Sequence, residues 1–323
     1  MKKRRRIPRC LQIAGGLLVL LLLLFYGPFE SFRLLWINTA MYSSRFKFLA
    51  QSLYTEAYIR NVMAMNAPAK DRRTNNNADH NVNDIVQENN WDDGIFFTEI
   101  KGDWYKGYML KINDPRRLVF AQSPSSEGSL LEEMVLAHGA SSGINASGYA
   151  DARQRGIPWG RIIADGQDIS PRREDPSSRT MDSHMSSHTM GGLNTEHRLI
   201  VGHFAEEEIA AQNYLWAFQF GPLLIVNGEK TELTSFSGGL APRSAIGQTA
   251  EGHILLVTAD GRQKASIGAT FKDMQTVLFE NGAINAINLD GGSSSGLVFQ
   301  GKLVSRPSDG DAERLLPNAI VVR

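Results

Sequence analysis

Apolar and polar positions divide the chain into three stretches with different periods. From Leu11 to Phe25 the apolar residues run almost without a break, with Leu20 to Leu24 at the centre. From Ser31 to Met65 they recur at helical spacing, through Phe32, Leu35, Trp36, Phe46, Leu49, Leu53, Ile59 and Met63. That period predicts one or two amphipathic helices over 31–65. Their apolar face has three candidate partners: a bilayer surface, another chain or the domain that follows. Residues 66–90 carry few apolar positions and many asparagines, among them Asn75-Asn-Asn77, Asn81 and Asn89-Asn90, and read as a linker without fixed structure.

From Trp91 onward short strand-like runs alternate with turn signals and a few helices. Ile95–Ile100 and Trp104–Ile112 read as a hairpin about Lys101-Gly-Asp103. Ser129-Leu-Leu-Glu132 has the spacing of a capping box, opening a short helix that ends at Gly139. Leu199-Ile-Val201 is a short strand candidate, while 172–198 read as polar and irregular. Two strands join through a turn at Ala250-Glu-Gly-His253. Thr270-Phe-Lys-Asp273 opens a second helix with Phe271, Met274 and Leu278 on one face and Gly282 past its end. Leu297–Phe299 and Leu303-Val304 flank Gln300-Gly-Lys302 as a hairpin, and Ala319–Val322 is the last strand. Hairpins with scattered helices predict an α+β fold: a single domain over 91–323 with one mixed, largely antiparallel sheet and flanking helices.

Composition adds little about the fold and more about location. The 323 residues hold 34 basic and 34 acidic side chains, with 42% apolar content, ample for one sizeable core. The balance of charge argues against nucleic acid as a partner, because the one dense basic run is Lys2–Arg6. That run precedes the apolar stretch, the pattern of either a cleaved signal peptide or an uncleaved signal anchor, and 1–30 read as a cytoplasmic basic tail and a transmembrane signal anchor. The nearest small-residue cleavage signal, Asn38-Thr-Ala40, is poor and distant. The expected topology is a single pass in the cell membrane, with the domain extracellular. The single cysteine, Cys10, permits no intramolecular disulfide.

Candidate chemistry sits at strand ends. Asp290 closes the apolar run Ala283–Leu289 and is followed by Gly291, Gly292, Ser293, Ser294 and Ser295. The glycines let main chain approach a ligand, and the serines add hydroxyls and N–H groups suited to an anion. Arg243 opens another strand. Asp260 and Arg262 close a third, and Asn145 and Gly148 stand in Asn145-Ala-Ser-Gly-Tyr149. Arginine in such places suits bidentate contact with phosphate or carboxylate. His184 and His188 have i, i+4 spacing but lack helical periodicity around them, and His197 and His203 follow. No His-Glu-x-x-His string or cysteine pair supports zinc. Aspartates beside a glycine-rich loop are oxygen ligands of the kind Ca²⁺ takes, so a Ca²⁺ site stays open and its ligands unassigned.

These strings, in this order, resemble the phosphodiester glycosidase family. The matching pieces are Asn145–Tyr149, Phe220-Gly-Pro-Leu-Leu224, Pro242–Gly247, Asp260-Gly-Arg262, Asn288–Gly292, Glu313-Arg314 and Asn318–Val322, spanning about 91–323. Two positions depart mildly: the usual third glycine is Ser293, and Tyr149 stands where phenylalanine is common. With its N-terminal segment the chain resembles the Gram-positive, membrane-anchored branch linked to exopolysaccharide. The resemblance implies a hydrolase that cleaves the glycosidic C–O bond of a sugar-1-phosphodiester in a wall polymer, exopolysaccharide or glycolipid. It points to Asp290 as nucleophile or base for water. Arg243 and the Gly291–Ser294 loop would hold phosphate, with Asn145, Gly148, Asp260 and Arg262 beside the substrate and Glu313 a further catalytic candidate. A metal-dependent phosphodiesterase breaking P–O and a non-catalytic wall-polysaccharide module remain the alternatives.

Overall fold

A computed structural model describes residues 9–43, 46–66, 92–151, 154–171, 189–308 and 313–323. The asparagine-rich stretch up to Trp91, and His184 and His188, lie outside the described residues. The described residues form three main antiparallel sheets rather than the single mixed sheet expected. Each sheet turns one face into a shared core and has the other covered by a helix.

The first sheet has seven strands. In spatial order they are β1 (Ile95–Lys101), β2 (Lys106–Ile112), β15 (Ile254–Ala259), β14 (Arg243–Thr249), β16 (Ala283–Asn288), β12 (Leu223–Val226) and β13 (Glu229–Lys230). The second runs β18 (Lys302–Leu303), β17 (Leu297–Phe299), β4 (Ser142–Asn145), β19 (Asn318–Val322) and β3 (Leu118–Gln122). The third runs β10 (Leu199–His203), β9 (Thr189–Asn194), β11 (Tyr214–Gln219), β7 (Ile162–Ala164) and β8 (Gln167–Asp168). A small ribbon pairs β5 (Tyr149–Asp151) with β6 (Gln154–Pro158).

Side chains alternate across a strand, so one strand can feed two cores. On β19, Ile320 and Val322 enter the shared core with Leu110, Ile144, Phe218, Ile246 and Ile287. Ala319 and Val321 face the other way, onto Leu131, Met134 and Val135 of helix α5 (Leu131–Ala137). Likewise Leu255 and Val257 of β15 pack with Phe271, Met274 and Leu278 of α7 (Phe271–Glu280). Met190 and Ala217 pack with Ile209 of α6 (Glu206–Ala211).

The helix signals hold at α7 and shift at α5. Thr270 Oγ1 accepts the Asp273 N–H at 3.2 Å and Asp273 Oδ2 accepts the Thr270 N–H at 2.7 Å, the reciprocal box that the spacing predicts. At α5 the N-cap is Leu130, which has no side-chain acceptor. Only half a box remains, Glu133 Oε2 accepting the Leu130 N–H at 3.1 Å. Ser129, the expected cap, instead bridges main chain to Leu316.

β9 runs through the stretch read as irregular. A Cβ on Gly192 would collide with Trp216 main chain, and one on Gly191 would lie 2.8 Å from Ile287 Cγ2. The glycines are there for close packing, which also removes the alternating side chains that signal a strand.

The N-terminal segment is four helices: α1 (Arg9–Tyr26), α2 (Glu30–Met41), α3 (Lys47–Leu53) and α4 (Glu56–Met65). Leu17 to Leu23 of α1 are exposed. Among the described residues no single helix is long and apolar enough to cross a membrane. Gln12–Tyr26 and Glu30–Met41 reach that threshold only as a pair bent by 80°. Helices α2–α4 enclose a small core of Ile37, Ala40, Ala50, Ile59 and Val62. They also touch the domain, Tyr42 meeting the Phe271 ring edge-on at 5.9 Å.

Candidate active site

The end of β16 is where the first two sheets meet. Leu289 N–H donates to Ser244 O at 2.8 Å, the next N–H, of Asp290, to Ala146 O at 2.9 Å, and Gly292 N–H to Pro242 O at 2.9 Å. The loop after β16 is thus sewn to the start of β14 on one side and the end of β4 on the other.

Asn145 makes the junction rigid. Its Nδ2 donates to Asp290 O at 2.7 Å, and its Oδ1 accepts Ser244 Oγ at 2.7 Å and Gly296 N–H at 3.1 Å. Both ends of a fully buried amide are therefore engaged, as burial requires. Two residues on, Ser147 N–H donates to Asn318 Oδ1 at 2.8 Å. This turn presents Gly148 to Asp290: a Cβ there would lie 3.8 Å from the carboxyl carbon and 3.1 Å from Phe220 Cε2. The missing side chain leaves room beside the carboxylate.

Asp290 keeps only part of its surface in solvent, and its carboxyl is enclosed by protein atoms. Burial pushes its pKa up to about 6. The opposing influences are the Ser294 hydroxyl, the Gly291 N–H at 3.0 Å from Oδ1, and the positive charges of Arg314 and Arg243. Ser294 Oγ is near enough to favour the charged form without good hydrogen-bond geometry. Ser295 Oγ and Asn288 Oδ1 are also buried at this junction without a hydrogen-bond partner.

Among the described residues Arg243 and Arg262 reach this loop, and the charge of Arg314 acts on Asp290. Arg243 is 5% exposed and lies with its guanidinium 4.2 Å from the Phe271 ring centroid. Its Nε donates to Ala269 O at 3.2 Å and its Nη2 to Gly238 O and, at 3.0 Å, Gly239 O. Nη1 faces Gly291, 3.7 Å from where a Cβ would stand. Burial lowers the Arg243 pKa to about 10, which leaves it cationic at neutral pH. Arg262 approaches from outside, Nη1 donating to Ser293 Oγ at 3.3 Å, with its guanidinium against Gly292. Arg314 donates from Nη1 to Tyr149 Oη at 2.7 Å.

Two predicted carboxylates point elsewhere. Asp260 Oδ1 accepts the Arg306 N–H at 2.8 Å, pinning the segment before Ser308, whose Oγ bonds Ser293 Oγ at 3.3 Å. Burial pushes its pKa up to about 6. Glu313 Oε1 accepts the Leu131 N–H at 2.6 Å, at the start of α5. Burial raises its pKa, and neighbouring Glu132 and Glu133 raise it further. Arg314, not Glu313, is the member of that pair whose charge acts on Asp290. The closing motif flags both residues, and nothing in a sequence says which of two neighbours turns inward. Among the described residues no three His, Cys, Asp or Glu side chains gather as a metal site. His203 Nδ1 pairs with Thr189 Oγ1 at 2.8 Å.

The placement of Glu313 predicts a mild variant. Glu313→Gln keeps an acceptor for Leu131 and removes a charge whose raised pKa costs stability at neutral pH. Turnover within a few fold of the parent is expected, with a melting temperature at pH 7 equal or higher. A rate loss beyond about tenfold at unchanged melting would place Glu313 in the chemistry instead.

Comparisons with known proteins show what the chain is similar to. The mouse N-acetylglucosamine-1-phosphodiester alpha-N-acetylglucosaminidase is 24% identical over 239 residues, 66% of this chain but 44% of its own length. The chain thus spans less than half of that relative. A SPbeta prophage-derived uncharacterized protein of Bacillus subtilis is 41% identical over 81 residues, 25% of this chain and 12% of its own. The zebrafish N-acetylglucosamine-1-phosphodiester alpha-N-acetylglucosaminidase catalytic domain, solved auto-inhibited by its pro-peptide, shares the fold. Its TM-score is 0.56 at 22% identity, over 71% of this chain and 82% of that one. The family model described as phosphodiester glycosidase matches residues 138–323, from the end of α5 through the last strand and so across the whole Asp290 site, and the chain belongs to that family.

Proposed function

We propose that this protein hydrolyses the glycosidic C–O bond of a sugar-1-phosphodiester in a cell-envelope polymer, exopolysaccharide or glycolipid, outside the cytoplasm and anchored by α1. The observation that carries the reaction is one carboxylate, Asp290, on a glycine–serine loop that Arg243, Arg262 and Arg314 approach. Ordinary glycosidases need a second carboxyl to protonate a poor alkoxide leaving group. A phosphate monoester leaves as a stabilised anion, so fixed positive charge and N–H donors serve where an acid would otherwise be needed. In this reading Asp290, ionised above about pH 6, attacks C1 or takes a proton from the attacking water. The C1–O bond breaks, and the glycosidic oxygen departs with the phosphate towards the arginines. Where Asp290 itself has bonded C1, water then attacks C1 and the bond to Asp290 breaks. The carboxylate is regenerated, and the proton of the water passes to the departing phosphate or to solvent. Asn145 orients the Asp290 loop, since its amide is spent on that loop's main chain.

The test is a panel of sugar-1-phosphodiesters given to the full chain in detergent micelles. Free sugar and phosphate monoester should appear together. No turnover on any member, with binding intact, would favour a wall-polymer binding module.

The location rests on Lys2–Arg6 before an apolar helix in which Leu17 to Leu23 are exposed. A helix apolar on every side suits lipid rather than water. Protease added to intact protoplasts should then remove the domain. Protection until lysis would reverse the topology.

A further inference from the structure

We propose that helices α2–α4 are a working part of the active site: they hold the 234–240 segment that sets Arg243, and through Arg243 the loop bearing Asp290. The inference rests on the reading of that loop as catalytic.

The link is continuous. Thr39 Oγ1 on α2 accepts the Leu240 N–H at 3.0 Å. Asn66, just past α4, accepts Thr234 Oγ1 on its Oδ1 at 2.7 Å and Ser237 Oγ on its main-chain oxygen at 3.0 Å. Gly238 and Gly239 both have positive φ, 78° and 58°, and a Cβ on Gly239 would collide with the main chain of Thr39. The turn is therefore shaped against α2. Its carbonyls, Gly238 O and Gly239 O, are the ones that Arg243 Nη2 grips.

A second contact runs in parallel. Phe271 takes the Arg243 guanidinium on its face and the Tyr42 ring edge-on, at 90°. Ser237 O also accepts the Phe271 N–H at 3.1 Å, closing the circuit between turn and ring. Beyond Arg243 the path is two bonds long. Pro242 O and Ser244 O, on either side of it, bond Gly292 N–H and Leu289 N–H, the two residues that bracket the Asp290 turn.

A buried guanidinium cannot drift without losing main-chain partners, so its position follows theirs. The helices that join the anchor to the domain thus fix a cation at the reaction centre. A displacement near 1 Å there is enough to cost about a hundredfold in rate.

The experiment uses the full chain in micelles, with Thr39→Val, which keeps volume and loses the Leu240 bond, and Tyr42→Leu, which loses the ring edge. Hydrogen exchange is followed by mass spectrometry alongside kcat and KM. Exchange should quicken in 234–243 and again in 289–294, while strands such as β19 stay protected. The double variant should lose about tenfold to a hundredfold in kcat, with KM within about threefold. Thr39→Ser and Tyr42→Phe should restore both readouts. Quicker exchange in 234–243 with 289–294 unchanged would overturn the coupling, and so would kcat within twofold of the parent. If the double variant does not fold, Thr39→Val alone decides by the same readouts. A parent that cleaves no sugar phosphodiester would defeat the proposed reaction, and the exchange pattern would still decide the coupling.

Discussion

Replacing Asp290 by asparagine is expected to cost at least on the order of a thousandfold in turnover while making the domain no less stable. The rate falls because, among the described residues, the one carboxylate turned to this loop loses its charge. Substrate binding should persist, since Arg243, Arg262 and the loop N–H groups remain. The stability follows from linkage. Burial raises the Asp290 pKa from an ordinary 3.8 to about 6. A carboxyl with a raised folded-state pKa contributes stability below its unfolded value. That contribution is lost as the pH rises through the folded value. At pH 7 the parent therefore carries the cost of a buried charge, about 1 to 3 kcal/mol, that asparagine does not carry. The variant should melt at or above the parent temperature at pH 7, with the difference shrinking towards pH 4. The parent's rate should fall as the pH drops below about 6 and Asp290 takes up a proton. A variant that unfolds would make Asp290 a strand-end anchor. Turnover within a few fold of the parent would move the chemistry to another group.

Arg243→Lys should lower both activity and stability. Sequence alone suggests a phosphate clamp. The structure shows a guanidinium that also ties Ala269 O, Gly238 O and Gly239 O together and lies on Phe271. Lysine cannot place donors at Nε and both Nη positions at once. At least one buried carbonyl loses its partner, so a loss of about 2 to 4 kcal/mol is expected. The Nη1 edge facing Gly291 disappears too, and a rate loss of about a hundredfold should accompany it. Calorimetry and steady-state kinetics on the same preparation separate the two effects. If melting falls but the rate holds within a few fold, Arg243 is a strut and the phosphate contact lies with Arg262 and Arg314.

What the sequence discloses follows from how local each signal is. Helix α7 is legible because its cap, its apolar face and its closing glycine all lie within a dozen or so residues. The β14–β15 hairpin and the β1–β2 hairpin are legible for the same reason. β9 is not, because Gly191 and Gly192 replace the alternating side chains by close approach to β11 and Ile287. Three sheets read as one because β4 pairs with β19 and β17, strands some 150 residues or more downstream that no local pattern connects to it. At the site, Asp290 shows as a carboxylate at the end of an apolar run before two glycines. The roles of Glu313 and Arg314 do not show, since direction depends on what each neighbour meets: Leu131 N–H for one, Tyr149 for the other. The contacts of Thr39 and Asn66 with 234–240 join positions about 170 to 200 residues apart and leave no trace in periodicity.

The most direct measurement is hydrolysis of a sugar-1-phosphodiester by the full chain in ¹⁸O-labelled water, with the label located by mass spectrometry. Cleavage of the C1–O bond places the label in the released sugar and leaves the phosphate monoester unlabelled, and that is the predicted result. Label in the phosphate would mean that the P–O bond had broken, and would contradict a mechanism in which Asp290 acts at C1 and the arginines receive the departing phosphate.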